Sequence, residues 1–306
     1  MQDIQIMATG LQFPEGPVAL ADGSVVLVEI QRETLTRIAP DGQATVLAEV
    51  GGGPNGLALG PDGAYYLCNN GGFLFQTIAG MNRTRPGVHP RYTSGRIERF
   101  DPRTGTLATL YDRCGEHPLC GPNDLVFDHD GGFYFTDMGK NRLRDRDHGG
   151  LYYARADGSM ITELAHPLTT PNGVGLSPDG RVVYVAETET ARLWAFDLEA
   201  PGRVRRHPPP SPHGGRLVCG LPGYQRFDSM AVDAEGNICV ATLVTGCITV
   251  VAPTGEVLRQ VPTSDPMTTN LCFGGPDLKT AYITLSGTGR LARMPWPQAG
   301  LRLAQA

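Results

Sequence analysis

Helical periodicity is what this sequence most lacks. Nowhere in its 306 residues do apolar positions recur at three- and four-residue spacing over the length of a long helix. No apolar run is long enough to span a bilayer, and the opening Met1-Gln2-Asp3-Ile4-Gln5-Ile6 has neither a basic nor an apolar leader region. The expectations are no membrane partner and a cytoplasmic location. Lysine is nearly missing, with only Lys140 and Lys279, and the net charge is −5 with no basic stretch, which argues against a nucleic-acid partner. The seven cysteines show no CxxC spacing and fit reduced thiols. Cys68, Cys239 and Cys272 fall in strand patterns and read as core. Cys114 and Cys120 share a Gly/Pro-rich loop, where a bridge is the minor alternative to free thiols. Gly-x-Ser-x-Gly is absent, which removes the usual serine-hydrolase reading, and Ser286-Gly287-Thr288-Gly289 is a turn rather than a phosphate loop.

What the chain has instead is turn residues, 40 Gly and 25 Pro, and a phrase written six times. Its clearest copy runs Gly53-Pro54-Asn55-Gly56-Leu57-Ala58-Leu59-Gly60-Pro61-Asp62-Gly63. The copies start at Glu15, Asn55, Asn123, Asn172, Asp228 and Asn270, and each has an acidic turn residue seven positions on: Asp22, Asp62, Asp130, Asp179, Glu235 and Asp277. An apolar strand, a tight turn and a β-branched or aromatic return make each copy a β-hairpin. Seven residues past each turn lie Glu29, Asn69, Asp137, Ala186, Thr242 and Thr284, expected opposite the starting residues, with Glu187 one place late in the fourth copy.

Hairpins recurring at intervals of tens of residues without helices predict an all-β, six-bladed β-propeller, one domain over residues 1–306. Most repeats supply a third and fourth strand, such as 34–38 and 44–48 or 150–155 and 161–165. The last has room for three, so the alternating segment 3–7 is expected to close the sixth blade and remove its open edge. Insertions at 71–94 and 139–149 read as lids. The connection 199–225, with Pro208-Pro209-Pro210, reads as a stiff surface excursion.

In a propeller the first strand of each blade lines the axis, so the six starting residues form a ring. Two carboxylates and four amides converging there would be poorly solvated without a cation. All-oxygen ligands suit Ca²⁺ first, with Mg²⁺ or Mn²⁺ possible and Zn²⁺ weakened by the lack of His or Cys. The loop histidines His89 and His148 are further candidates for substrate contact, with solvated surface groups as the simpler reading.

Phe13-Pro14-Glu15-Gly16, Pro122-Asn123-Asp124-Leu125, Pro171-Asn172-Gly173-Val174, Asp228-Ser229-Met230-Ala231 and Thr269-Asn270-Leu271-Cys272-Phe273-Gly274-Gly275 together resemble the gluconolactonase and senescence-marker-protein (regucalcin) family. The diisopropyl-fluorophosphatase enzymes are a more distant likeness. The resemblance implies one divalent cation, usually Ca²⁺, and hydrolysis of lactones or related esters. It implies Glu15, Asn172 and Asp228 as metal ligands and Asn123 as ligand or substrate contact. Asn55 and Asn270 complete the expected substrate-facing set, and the resemblance implies Asp228 as the catalytic residue, as base toward water or as nucleophile, with a role as ligand only also open. The chain departs from sugar-lactone members at Gly121, where those often carry Arg. The alternatives are a non-catalytic ligand- or protein-binding propeller with a structural ion, and an organophosphate or other ester hydrolase; a strictosidine-synthase-like propeller ranks last.

Overall fold

The computed structural model describes residues 4–303. Six sheets follow one another along the chain, and in each the strand that opens the repeated phrase is innermost. Blade 1 is Pro14–Ala19, Val25–Glu29, Thr34–Ile38 and Ala44–Glu49, paired in that order. Blade 2 takes Pro54–Leu59, Tyr65–Asn69, Arg96–Asp101 and Thr106–Tyr111. Blade 3 takes Pro122–Phe127, Gly132–Asp137, Gly149–Arg155 and Ile161–Leu168. Blades 4, 5 and 6 open with Pro171–Leu176, Arg226–Val232 and Thr268–Gly274. These innermost strands touch one another in the cyclic order of the blades, the sixth against the first, so the ring is closed. The outer edge of blade 6 is Gln5–Ala8, hydrogen-bonded to Arg290–Pro295. This is the closure expected from the sequence, Asp3 of the expected strand lying outside the described residues.

The core is divided in six. One cluster joins Val26, Val28 and Leu35 of blade 1 to Leu57, Leu67 and Phe100 of blade 2, and a like cluster fills each other blade junction, including Tyr282 and Leu291 of blade 6 against Val25 and Leu27 of blade 1. Second strands are buried throughout or but for their first residue, which explains their continuous apolar runs, whereas outermost strands such as Ala44–Glu49 are largely exposed.

The hairpin register differs from the expected one by a residue. Glu29, Asn69, Asp137, Glu187 and Thr242 pair with Pro14, Pro54, Pro122, Pro171 and Phe227; only Thr284 stands opposite its ring residue, Asn270. The reason is an irregularity in every first strand at or beside the ring residue, which absorbs a position; in blades 2 to 5 it leaves the ring residue off the ladder, whereas Glu15 and Asn270 stay paired, with Val28 and Thr284. Glu187 is therefore the regular member of its copy and Ala186 is not. The glycine following the ring residue in blades 1 and 2 has a packing cause: a Cβ on Gly16 would sit 2.7 Å from the Asn55 carbonyl oxygen, and one on Gly56 2.5 Å from that of Asn123.

The connection 199–225 is more than an excursion, since Arg216–Gly220 is the outer strand of blade 4. All seven cysteines are free, Cys114 and Cys120 included, so the bridge is not formed; Cys68 and Cys239 are buried as expected and Cys272 is half-buried.

Candidate functional site

All six ring side chains are buried. Glu15, Asn55, Asn123, Asn172 and Asp228 line the floor of one cavity of about 470 Å³. Asn270 does not join them there. It borders the apolar cavity at the other end of the channel and donates its amide to Glu15 Oε2 at 2.8 Å, so it orients Glu15 from behind rather than facing a substrate. The Gly16 N–H reaches the same oxygen at 2.9 Å.

Asn172 is fixed on both sides, donating to Thr188 Oγ1 at 3.1 Å and accepting from Ser229 Oγ at 3.3 Å. Asn123 donates to Met138 Sδ at 3.1 Å, leaving its buried Oδ1 without any hydrogen-bond partner. An orphaned buried acceptor costs free energy unless something electropositive meets it.

The carboxylates tell the same story. Burial lifts Glu15 to about 7, partly opposed by its bonds from Asn270 and Gly16. Burial first, and then the charge of Glu15, hold Asp228 well above the usual carboxylate range. Asp124, adjacent to a ring residue and on the far side of the floor, is pushed up to about 8 by burial and by Glu15. The phrase Pro122-Asn123-Asp124 contained this third carboxylate, but no repeat position marked it as functional. A divalent cation fits this donor set: it would relieve the repulsion between Glu15 and Asp228 and give the Asn123 oxygen a partner. Among the described residues no group of three His, Cys, Asp or Glu side chains gathers to hold a metal, so a cation here would need amide oxygens as well.

The second strands hold the strand entries in place. Asp137 accepts from the Cys120, Gly121 and Gly139 N–H groups, Asn69 from Gly53 and Gly71, and Glu187 from Thr169. The residues expected opposite the ring are thus its buttress.

Both insertions overhang the cavity. The first contains a hairpin, Leu74–Ile78 with Met81–Arg85, that leans to the first and last blades through Phe75 on Phe13 and the Asn82 N–H on the Gly287 carbonyl at 2.8 Å. The second meets it where the Gly87 N–H donates to the Asn141 carbonyl at 2.9 Å. Lys140, buried, locks the pair: its Nζ donates to the Gly72 carbonyl at 3.0 Å and lies over the rings of Phe73 and Tyr92. Burial lowers it to about 8.

Neither candidate histidine borders the cavity. His89 Nδ1 accepts from the Arg91 N–H at 3.2 Å and its ring packs on Gly72, while His148 sits edge-on to His166. The charged groups at the rim are Arg83, Arg85, Lys140, Arg146, Glu189 and Arg226. Arginine is this chain's common basic residue, so no compositional signal set them apart.

A six-bladed propeller whose axis carries buried carboxylates and amide oxygens beneath a lidded cavity defines an axial-site class within the propeller folds. Residues 13–287 match the family described as SMP-30/Gluconolactonase/LRE-like region, and the chain belongs to it. Among similar proteins, the gluconolactonase of Zymomonas mobilis is 24% identical over 92% of this chain and 79% of its own length. The lactonase drp35 of Staphylococcus epidermidis is 27% identical over 84% of this chain and 71% of its own. The solved structure of a calcium-binding protein, regucalcin, from Agrobacterium tumefaciens superposes with a TM-score of 0.75 at 19% identity, covering 99% of this chain and 98% of that one, and shows the shared fold.

Proposed function

We propose that this protein is a divalent-cation-dependent lactone hydrolase. The observation that carries the reading is the floor of the cavity, where Glu15 and Asp228 are buried together with an Asn123 oxygen that has no partner. The lactonase and gluconolactonase relatives support the substrate class. Glu15, Asn123, Asn172 and Asp228 would hold the ion, Ca²⁺ by the hardness of the donors. The chemistry such an ion supplies is polarisation of the lactone carbonyl and stabilisation of the oxyanion formed on attack.

The remaining work falls to side chains of the chain. Asp228 takes the proton of the attacking water and returns it to the ring oxygen as the C–O bond breaks, or attacks the carbonyl carbon itself, the ring oxygen leaving as an alcohol protonated by water, to give an acyl-enzyme that a second water hydrolyses. Asn270 and the Gly16 N–H keep Glu15 aimed, and Thr188 and Ser229 do the same for Asn172. Phe13, Phe73 and Met138 border the cavity and limit bulk water around the reacting ester. Asn55, on the same floor, is placed to donate to a substrate oxygen.

A panel of five- and six-membered lactones, assayed with and without added divalent ions, tests the proposal. Ion-dependent ring opening of at least one member is expected. No turnover of any, with ions present and the protein folded, would overturn it.

A further inference from the structure

Five basic side chains border the cavity, Arg83, Arg85, Lys140, Arg146 and Arg226, against three acids, Glu15, Glu189 and Asp228. Two of the acids, Glu15 and Asp228, are on the floor, and Glu189 is at the rim with the bases. Lys140 is committed to the Gly72 carbonyl, and Arg226 and Arg146 share Glu189, the first in direct contact and the second at 4.0 Å. Arg83 and Arg85 take part in none of the ion pairs among the described residues. In addition, the Nε–H groups of both Arg83 and Arg226 are buried without a hydrogen-bond acceptor. A guanidinium donor removed from water and left unpaired is costly, and a carboxylate or phosphate is the partner its forked geometry matches. Arg83 is on the overhanging hairpin and Arg226 on the first strand of blade 5, and both border the same cavity.

We propose that the substrate is a lactone carrying an oxyanion, a carboxylate or phosphate, remote from its reacting carbonyl, and that Arg83 and Arg226 receive that anion. The inference rests on the lactone-hydrolase reading above. It also gives a direction of binding, with the anion at the rim against the unpaired Nε–H groups of Arg83 and Arg226. The ester carbonyl then points down to the ring.

Three lactones on one six-carbon skeleton test this: gluconolactone with a terminal hydroxymethyl, glucarolactone with a carboxylate there, and phosphogluconolactone with a phosphate. One of the anionic pair is expected to exceed the neutral lactone in kcat/KM by about tenfold or more, the scale of one charge-assisted contact, and which of the two wins identifies the anion. The preference should shrink in high salt, and Arg83→Gln or Arg226→Gln should cut it by about tenfold, on the same scale. Arg83 sits on the overhanging hairpin outside the blades, so its variant keeps the fold even if Arg226→Gln does not. Equal or poorer turnover of both anionic lactones would overturn the inference and leave the hydrolase reading standing. An anion preference that survives both substitutions would also overturn it. If no lactone turns over, calorimetry with gluconate, glucarate and phosphogluconate decides: tighter binding of a dianion that is lost in Arg83→Gln upholds the anion site, and equal affinities overturn it.

Discussion

Asp228 is both a ring oxygen donor and the candidate catalytic group, and Asp228→Asn separates the two roles because it keeps an oxygen and the shape while deleting the charge. At saturating Ca²⁺ this variant should bind the ion and hydrolyse lactones at least ~10²-fold more slowly, the smallest loss expected for removing a general base or nucleophile. Near-normal turnover in the ion-loaded variant would leave Asp228 as a ligand alone. The raised carboxylates carry a second prediction. Glu15 at about 7, Asp124 at about 8 and Asp228 above its usual range all hold protons in the ion-free folded state that the unfolded chain releases near pH 4. Their stabilisation is complete below that point and is lost as pH rises through the folded values. Buried His213, lowered by burial, works in the opposite sense but is one group against three. The melting temperature of chelated protein should fall between pH 5 and pH 8, and Glu15→Gln should flatten that slope; a rise over the interval in chelated wild type would contradict the assignment. Ring residues were legible as six copies of one position. Asp124 and the rim arginines were not, because burial and loop geometry, rather than a repeat, give them their character.

Among the elements, the two insertions overhang the cavity, and Lys140 is the bolt between them. Lys140→Met keeps the length of the side chain and removes the donor to Gly72 and the cation over Phe73 and Tyr92. Amide exchange in residues 71–94 and 139–149 should speed up, KM should rise, and ion binding at the ring should persist; unchanged exchange in 71–94 would show that Lys140 does not hold the lids together. The strand pattern was readable because alternation and turn residues act over a few positions. The one-residue register offset was not readable, since it arises from irregularities set by contact between blades, such as Gly56 against Asn123. The placing of the histidines off the cavity was unreadable for a similar reason: a loop's sequence shows that it is long, while its path over the rim depends on partners such as Phe13 and Gly287.

For the whole molecule, closure of the ring joins both ends of the chain in blade 6, where Gln5–Ala8 pairs with Arg290–Pro295. Removing residues 1–9 should expose that edge, lower the melting temperature and promote association; an unchanged melting curve and a monodisperse product would deny the strand a structural role. Ion and ring are linked in the same way, because an ion that binds only the folded ring stabilises it by about 2.7 kcal/mol at a hundredfold excess over its dissociation constant. The most direct test of the central claim is therefore exhaustive chelation followed by Ca²⁺ titration, with lactone hydrolysis and melting temperature read on the same samples. Both should fall on chelation and return together along one binding curve. Full activity and an unshifted melting temperature in the chelated protein would contradict the account.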